Sequence, residues 1–318
     1  MVTFADVALA QKRIAPHLPP TALRNYAPLD EAVGEGISVL VKHENHQPTG
    51  AFKVRNTLAV LTQLSKAELA RGVIGATRGN HGAGLAWSGA LVGAPVTICV
   101  PVGNNPEKNA AMRGFGATLI EEGRDYDESA QAADRLVRER GLVLVHSTNH
   151  PQIVAGAGTM TLEIIEQAPK LDAMVIAIGG GSQALGALTV LREKRPGVAV
   201  YGVQAAGAAA FVEGYRTRRM VTLPRADTMA DGLATRATYE MTFAGLCEGL
   251  TDAITVTDDE IGAAVRLMIS TTHNLAEGAG AAGLAGLLKL RDRLRGKTVG
   301  IIISGANIDA ATLREIYR

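Results

Sequence analysis

One lysine and three glycine-marked turns hold the residues of this chain whose types and spacing suit chemistry. Lys53 stands beside Phe52 in Pro48-Thr49-Gly50-Ala51-Phe52-Lys53-Val54-Arg55-Asn56, at a turn into a helix. The ordinary fate of a lysine is a solvated surface charge. Withdrawn from water, its amine has a lowered pKa and becomes a nucleophile toward carbonyl groups. The first turn, Thr77-Arg78-Gly79-Asn80-His81-Gly82-Ala83-Gly84, follows the apolar run Val73–Ala76. Its glycines expose backbone N–H groups, and the next helix aims its positive end at the loop, which suits a carboxylate. An ordinary strand–helix turn would use the same small residues. The second turn, Gly179-Gly180-Gly181-Ser182, precedes a helix over Gln183–Leu191. Three consecutive glycines carry an entropy cost that packing does not explain. Successive free N–H groups at a helix start cradle a phosphate. The spacing matches neither a Walker loop nor the dinucleotide fingerprint. In the third, Ile301-Ile302-Ile303-Ser304-Gly305-Ala306-Asn307, Ser304 either faces a cleft or caps the following helix.

The elements that must position these residues alternate strand and helix. Candidate strands are Ser38–Lys42, Val73–Ala76, Val96–Val100, Thr118–Glu121, Leu142–Val145, Ala173–Ile178, Val198–Gln204, Ala253–Val256 and Thr298–Ser304. Helical periodicity occupies Ala83–Val92, Tyr126–Arg138 and Ile261–His273, and capping boxes begin at Ser65 and Thr257. This alternation predicts an α/β protein of parallel sheets flanked by helices. The strands are too many for one open sheet, so two lobes are expected. A small domain over 67–146 is inserted into a large domain formed by 1–66 and 147–318. Ligands in such sheets bind beyond the carboxyl ends of the strands, where the glycine turns lie.

Composition narrows the class. The 318 residues are 47 % hydrophobic and 20 % charged with net charge +1, which gives no footprint for nucleic acid or an acidic membrane surface. Of the two cysteines, Cys99 reads as a small core residue, and no disulfide framework is implied. No signal peptide or membrane-spanning run is evident, so a cytoplasmic location is expected.

Together the four segments resemble the serine/threonine dehydratase and serine racemase branch of fold-type II pyridoxal-phosphate enzymes, whose architecture is like that of the tryptophan synthase β-subunit. The likeness spans nearly the whole chain in matching order. It implies that Lys53 carries pyridoxal 5′-phosphate covalently, with Phe52 beside the pyridine ring. Asn80 matches the residue that bonds the ring's 3′-oxygen. Gly179, Gly180, Gly181 and Ser182 match the phosphate loop, Ser304 the group facing the ring nitrogen, and Glu277 a glutamate near the cofactor. Thr77, Arg78, Gly79, Asn80 and His81 match the loop for the substrate carboxylate. The implied activity is an ammonia-lyase reaction on a small β-hydroxy amino acid such as threonine or serine, with a homodimer as the expected assembly. A β-replacement enzyme is an alternative, disfavoured because cysteine-synthase-like relatives carry threonine where His81 stands.

Three departures from the family pattern stand out. Arg78 occupies the position of a serine that serves racemases as the second acid/base. Arginine cannot accept a proton, so negligible racemisation is expected. Arg78 either points to solvent or supplies a fixed positive charge that selects an acidic or polar group on the substrate. The segment Gln204–Ala210 offers no carboxylate where the family holds a divalent metal, so no metal is expected there. The regulatory domain of biosynthetic threonine dehydratases is not expected either, which favours a catabolic role. The Thr77–Gly82 and Glu277–Ala281 runs are also similar to dehydratase-like proteins associated with hydroxyectoine utilisation, which implies a hydroxylated diamino acid as another substrate class. Asp231-Gly232-Leu233 with Thr235-Arg236 resembles a segment near the substrate pocket, and Asn149 is a candidate neighbour of the cofactor. His43 and His46 read as a loop edge rather than a metal pair. His146, His150 and His273 have no evident partner.

Overall fold

The computed structural model describes residues 2–318. Its strands are β1 (Leu23–Asn25), β2 (Ser38–His43), β3 (Val73–Ala76), β4 (Val96–Val100), β5 (Thr118–Glu121), β6 (Val143–Leu144), β7 (Ala173–Ala177), β8 (Ala199–Ala205), β9 (Asp252–Val256) and β10 (Thr298–Ile303). They form two sheets. One has six strands in the order β1-β2-β10-β7-β8-β9, and the other has four in the order β5-β4-β3-β6. Every pairing is parallel except that of β1 with β2.

Both faces of the six-stranded sheet are buried, as parallel sheets require. Val175, Val299, Ile301 and Ile303 meet the Gly278–Leu290 and Asp258–Thr272 helices on one face. Met174, Ile176, Val200 and Ile302 meet the Pro151–Gln167 and Ser182–Lys194 helices on the other. The alternation along β7 and β10 is the period-2 signature of a strand. In the four-stranded sheet Val73, Val96, Ile98 and Val100 pack with Leu85 and Ala86 of the Asn80–Val92 helix.

The expected strands and capping boxes are present, the latter at Ser65 with Glu68 and Thr257 with Glu260. Several bounds differ. The helix expected from Ala83 begins at Asn80, because Gly79 turns the chain as its N-cap and places Asn80 and His81 in the first turn. The helix expected from Gln183 likewise begins at Ser182, behind the left-handed Gly181. β1 was not foreseen: three residues with mixed exposure carry no readable alternation. Among the described residues no helix is long and apolar enough to cross a membrane.

Candidate active site

The carboxyl ends of β3, β7 and β10 and the start of the Lys53–Leu61 helix open into one cavity. Lys53 is the first residue of its helix, and every residue from Val54 to Leu61 is buried. Two glycines let neighbouring helices close on this one. A Cβ on Gly84 would stand 3.0 Å from the Lys53 carbonyl carbon, and one on Gly156 would stand 2.6 Å from the Arg55 oxygen. Any larger residue would displace the helix and its lysine. The Lys53 Nζ donates to the Ser147 carbonyl at 3.4 Å and lies 5.1 Å from the centre of the Phe52 ring. Burial lowers its pKa from 10.5 to about 8. A larger share of the amine is therefore neutral at pH 7 than for a free lysine.

Below the lysine the helix is anchored by a wholly buried ion cluster. Arg55 donates Nε to Glu44 Oε2 at 2.8 Å and Nη1 to Glu163 Oε1 at 2.6 Å. Lys42 pairs with Glu163 Oε2 at 2.6 Å. The cluster joins β2, the lysine helix and the Pro151–Gln167 helix.

Contrary to the expectation from sequence, packing itself requires the triple-glycine turn. A Cβ on Gly179 would stand 2.4 Å from the Gly232 oxygen, and one on Gly180 would stand 2.1 Å from Thr148 Oγ1. Gly181 has φ +90°, a conformation that side-chain-bearing residues rarely adopt. Gly181 N-caps the Ser182–Lys194 helix, so free N–H groups and the helix dipole converge on this point. Beside it the buried Gln183 Nε2 has no hydrogen-bond partner. An orphan buried donor next to such a turn fits an anionic ligand that completes the site.

Across the cavity, the Gly79 N–H donates to Thr77 Oγ1 at 2.9 Å. Asn80 Nδ2 donates to Glu277 Oε1 at 2.6 Å, and Asn307 Nδ2 donates to Asn80 Oδ1 at 2.8 Å. Burial raises the Glu277 carboxyl from 4.5 to about 7, against the opposing pull of the Lys108 charge and the Asn80 hydrogen bond. His81 is driven down to about 3, first by burial and then by the Lys53 charge. Its Nε2 lies 2.9 Å from the Val145 carbonyl, an acceptor, so the neutral ring carries its proton there. Ser304 is buried against the cavity, and its carbonyl accepts from the Phe52 N–H at 2.9 Å. That bond ties the end of β10 to the lysine turn. Arg78 is exposed at the mouth, with Nη2 4.0 Å from Asp231 Oδ1, and Lys108 forms an ion pair with Asp231.

All the residues expected in the site, from Phe52 and Lys53 through the Thr77–His81 loop and Gly179–Ser182 to Glu277 and Ser304, line this cavity. Asp231 and Thr235 line it too, whereas Arg236 pairs with Asp127. Asn149 does not join them; it lines a separate groove with Phe4, Arg192 and Met241. Its N–H is turned to His146 Nδ1 at 2.8 Å. His146 thus has partners that the sequence does not reveal. His150 accepts from the Gln152 N–H at 3.1 Å and caps a helix, and His273 is a left-handed helix end. The His43 and His46 rings stack 4.8 Å apart, away from the cavity, and the described residues contain no group of three side chains suited to a metal. Sequence reasoning missed Lys108, Tyr126, Ser147, Thr148 and Tyr239 as lining residues. They come from segments without a motif, and only tertiary packing brings them in.

The description "pyridoxal-phosphate dependent enzyme" is that of the family whose pattern matches residues 14–305. The chain belongs to this family. Curated relatives include the L-threonine ammonia-lyase of Thermotoga maritima, 34 % identical over 316 residues that cover 99 % of this chain and 78 % of that protein. The L-threo-3-hydroxyaspartate ammonia-lyase of Saccharomyces cerevisiae is 32 % identical, covering 96 % of this chain and 94 % of that protein. Among solved structures, maize serine racemase superposes with a TM-score of 0.94 at 28 % identity, covering 99 % of this chain and 97 % of that one. The sheets and helices are accordingly those of a fold-type II enzyme, and the cofactor that the glycine cradle and Lys53 fit is pyridoxal 5′-phosphate.

Proposed function

We propose that this protein is a pyridoxal-phosphate-dependent ammonia-lyase that converts a small β-hydroxy amino acid into a 2-oxo acid and ammonia. One observation carries the reading: the Lys53 amine, the glycine cradle and the Thr77–His81 loop face the same cavity. The names of the threonine and hydroxyaspartate ammonia-lyases among the relatives support it.

In this reading Lys53 would hold the cofactor covalently, with Phe52 beside its ring. Gly179, Gly180, Gly181 and Ser182 would take the phosphate, Asn80 the ring oxygen and Ser304 the ring nitrogen, with Glu277 supporting Asn80. When bound, the group supplies the electron sink for negative charge at the substrate Cα. The remaining work belongs to the chain. Thr77, Arg78, Gly79, Asn80 and His81 surround the substrate's carboxylate, which the free N–H groups at the start of the Asn80–Val92 helix attract. Lys53, in the neutral form that burial favours, would take the substrate's α-proton. Neutral His81 holds the loop through Val145 and adds no competing charge. The β-hydroxyl then leaves as water with one proton. The resulting enamine becomes an imine and takes up water, so water is regained and the net products are a 2-oxo acid and ammonia.

The six-stranded sheet would be the core of a large domain, residues 1–66 and 147–318, and the four-stranded sheet that of a small domain, residues 67–146. A homodimeric, cytoplasmic enzyme completes the proposal. Borohydride reduction of the purified protein followed by peptide mapping tests the reading. The reduced cofactor is expected on Lys53, and 2-oxo acid is expected from a panel of β-hydroxy amino acids. A label on another residue, or none, would overturn it.

A further inference from the structure

Three charges stand at the cavity mouth, and the carboxylate loop needs none of them, because backbone N–H groups attract the substrate's carboxylate there. Lys108 and Arg78 face Asp231 across the opening. The Lys108 stem lies over Gly79, where a Cβ would stand 2.8 Å from Lys108 Cδ. Its ammonium pairs with Asp231 Oδ2, and the side chain is only 12 % exposed. The charge of Asp231 is thus committed to Lys108. Arg78 is different. Its side chain is 47 % exposed, and Asp231 Oδ1 stands 4.0 Å away, beyond hydrogen-bond length. The guanidinium borders the cavity and has no hydrogen-bonded acceptor among the described residues. Glu277, deeper in the site, is engaged as the acceptor of the Asn80 amide.

We propose that Arg78 recognises an anionic group on the substrate's side chain, which makes the preferred substrate a β-hydroxy amino acid bearing a second carboxylate. The inference rests on the ammonia-lyase reading and narrows it. A planar guanidinium grips a carboxylate through two parallel hydrogen bonds, which neither a methyl group nor a hydrogen can replace. A distal ammonium would meet two cations at the mouth and would have to displace Lys108 from Asp231. The Lys108–Asp231 pair acts as a positioning element: it keeps Asp231 from taking Arg78 for itself.

The test uses the holoenzyme and compares kcat/KM for 2-oxo acid release from L-threo-3-hydroxyaspartate, L-threonine and a hydroxylated diamino acid, in the wild type and in Arg78→Gln. The wild type is expected to prefer hydroxyaspartate. Arg78→Gln should lower the hydroxyaspartate-to-threonine ratio by about 10- to 100-fold, the worth of a charge-assisted pair, mainly through KM. Succinate binding, followed by the cofactor's absorbance, should weaken by a similar factor, and butyrate binding should change far less. A ratio that stays within about 3-fold, or a wild-type preference for the diamino acid, would overturn the proposal. Threonine turnover with no effect of Arg78 on any ratio would refute the specificity and leave the ammonia-lyase reading standing. Arg78-dependent succinate binding without turnover of any substrate would refute the activity and leave the anion site standing.

Discussion

Removing Arg55 exposes how the lysine helix is held. The guanidinium is inaccessible to solvent and bonds Glu44 through Nε and Nη2 at 2.8 and 3.0 Å. It bonds Glu163 through Nη1 and Nη2 at 2.6 and 2.8 Å. In Arg55→Met, Glu163 retains Lys42, but Glu44 keeps only the neutral Thr21 hydroxyl and Gln47 amide. A buried carboxylate without its cation costs about 3–5 kcal/mol, and a side chain stripped of its only cationic hydrogen-bond partner belongs at the upper end. Spread over an unfolding entropy of about 2.1 cal/mol/K per residue, 5 kcal/mol lowers the melting midpoint by roughly 7 °C in a chain of this length. Calorimetry of the purified variant reads that shift directly. Arg55→Met/Glu44→Gln should recover more than half of it, because the amide removes the uncompensated charge while keeping the contacts. The sign with pH follows from the same pair. Arg55 holds the Glu44 carboxyl below its ordinary 4.5. The stability this contributes is present above pH 4.5 and is lost as pH falls through the lowered value, so the wild type and Arg55→Met should converge in acid. A shift below about 2 °C at neutral pH, or a double variant no better than the single one, would refute the reasoning.

Gly180→Ala should weaken cofactor binding by about 10- to 100-fold in absorbance titrations, since its methyl group collides with Thr148; adding Thr148→Ala should restore part of the loss. Glu277 is raised to about 7, so its neutral form stabilises the cofactor-free fold below pH 4.5, and that contribution disappears as pH rises through 7. In urea unfolding of the cofactor-free protein, Glu277→Gln should therefore gain about 3 kcal/mol on the wild type between pH 4.5 and 8, and parallel pH curves would contradict the burial argument. Arginine at position 78 cannot relay a proton, so chiral chromatography should find no D-serine formed from L-serine; a measurable yield would mean that another residue serves the second face.

Local chemistry made much of this protein legible from its residues alone. The glycines at 179–181 and the turn at Gly79 announce themselves because backbone conformation and steric room are properties of a few neighbouring residues. The apolar runs of β7 and β10 read as buried parallel strands for the same reason, as their side chains alternate between two covered faces. What distant segments do to one another was hidden. Asn80 meets Glu277 across 197 positions, and Arg55 meets Glu163 across 108. No periodicity encodes such pairs, and each partner alone looks like an ordinary polar or charged surface residue. Asn149, near the cavity in sequence order, was turned aside by a hydrogen bond to His146, while Lys108 and Asp231 were brought together at the mouth. Burial, and with it the lowered pKa of Lys53 and the raised one of Glu277, exists only once distant segments have packed and displaced water.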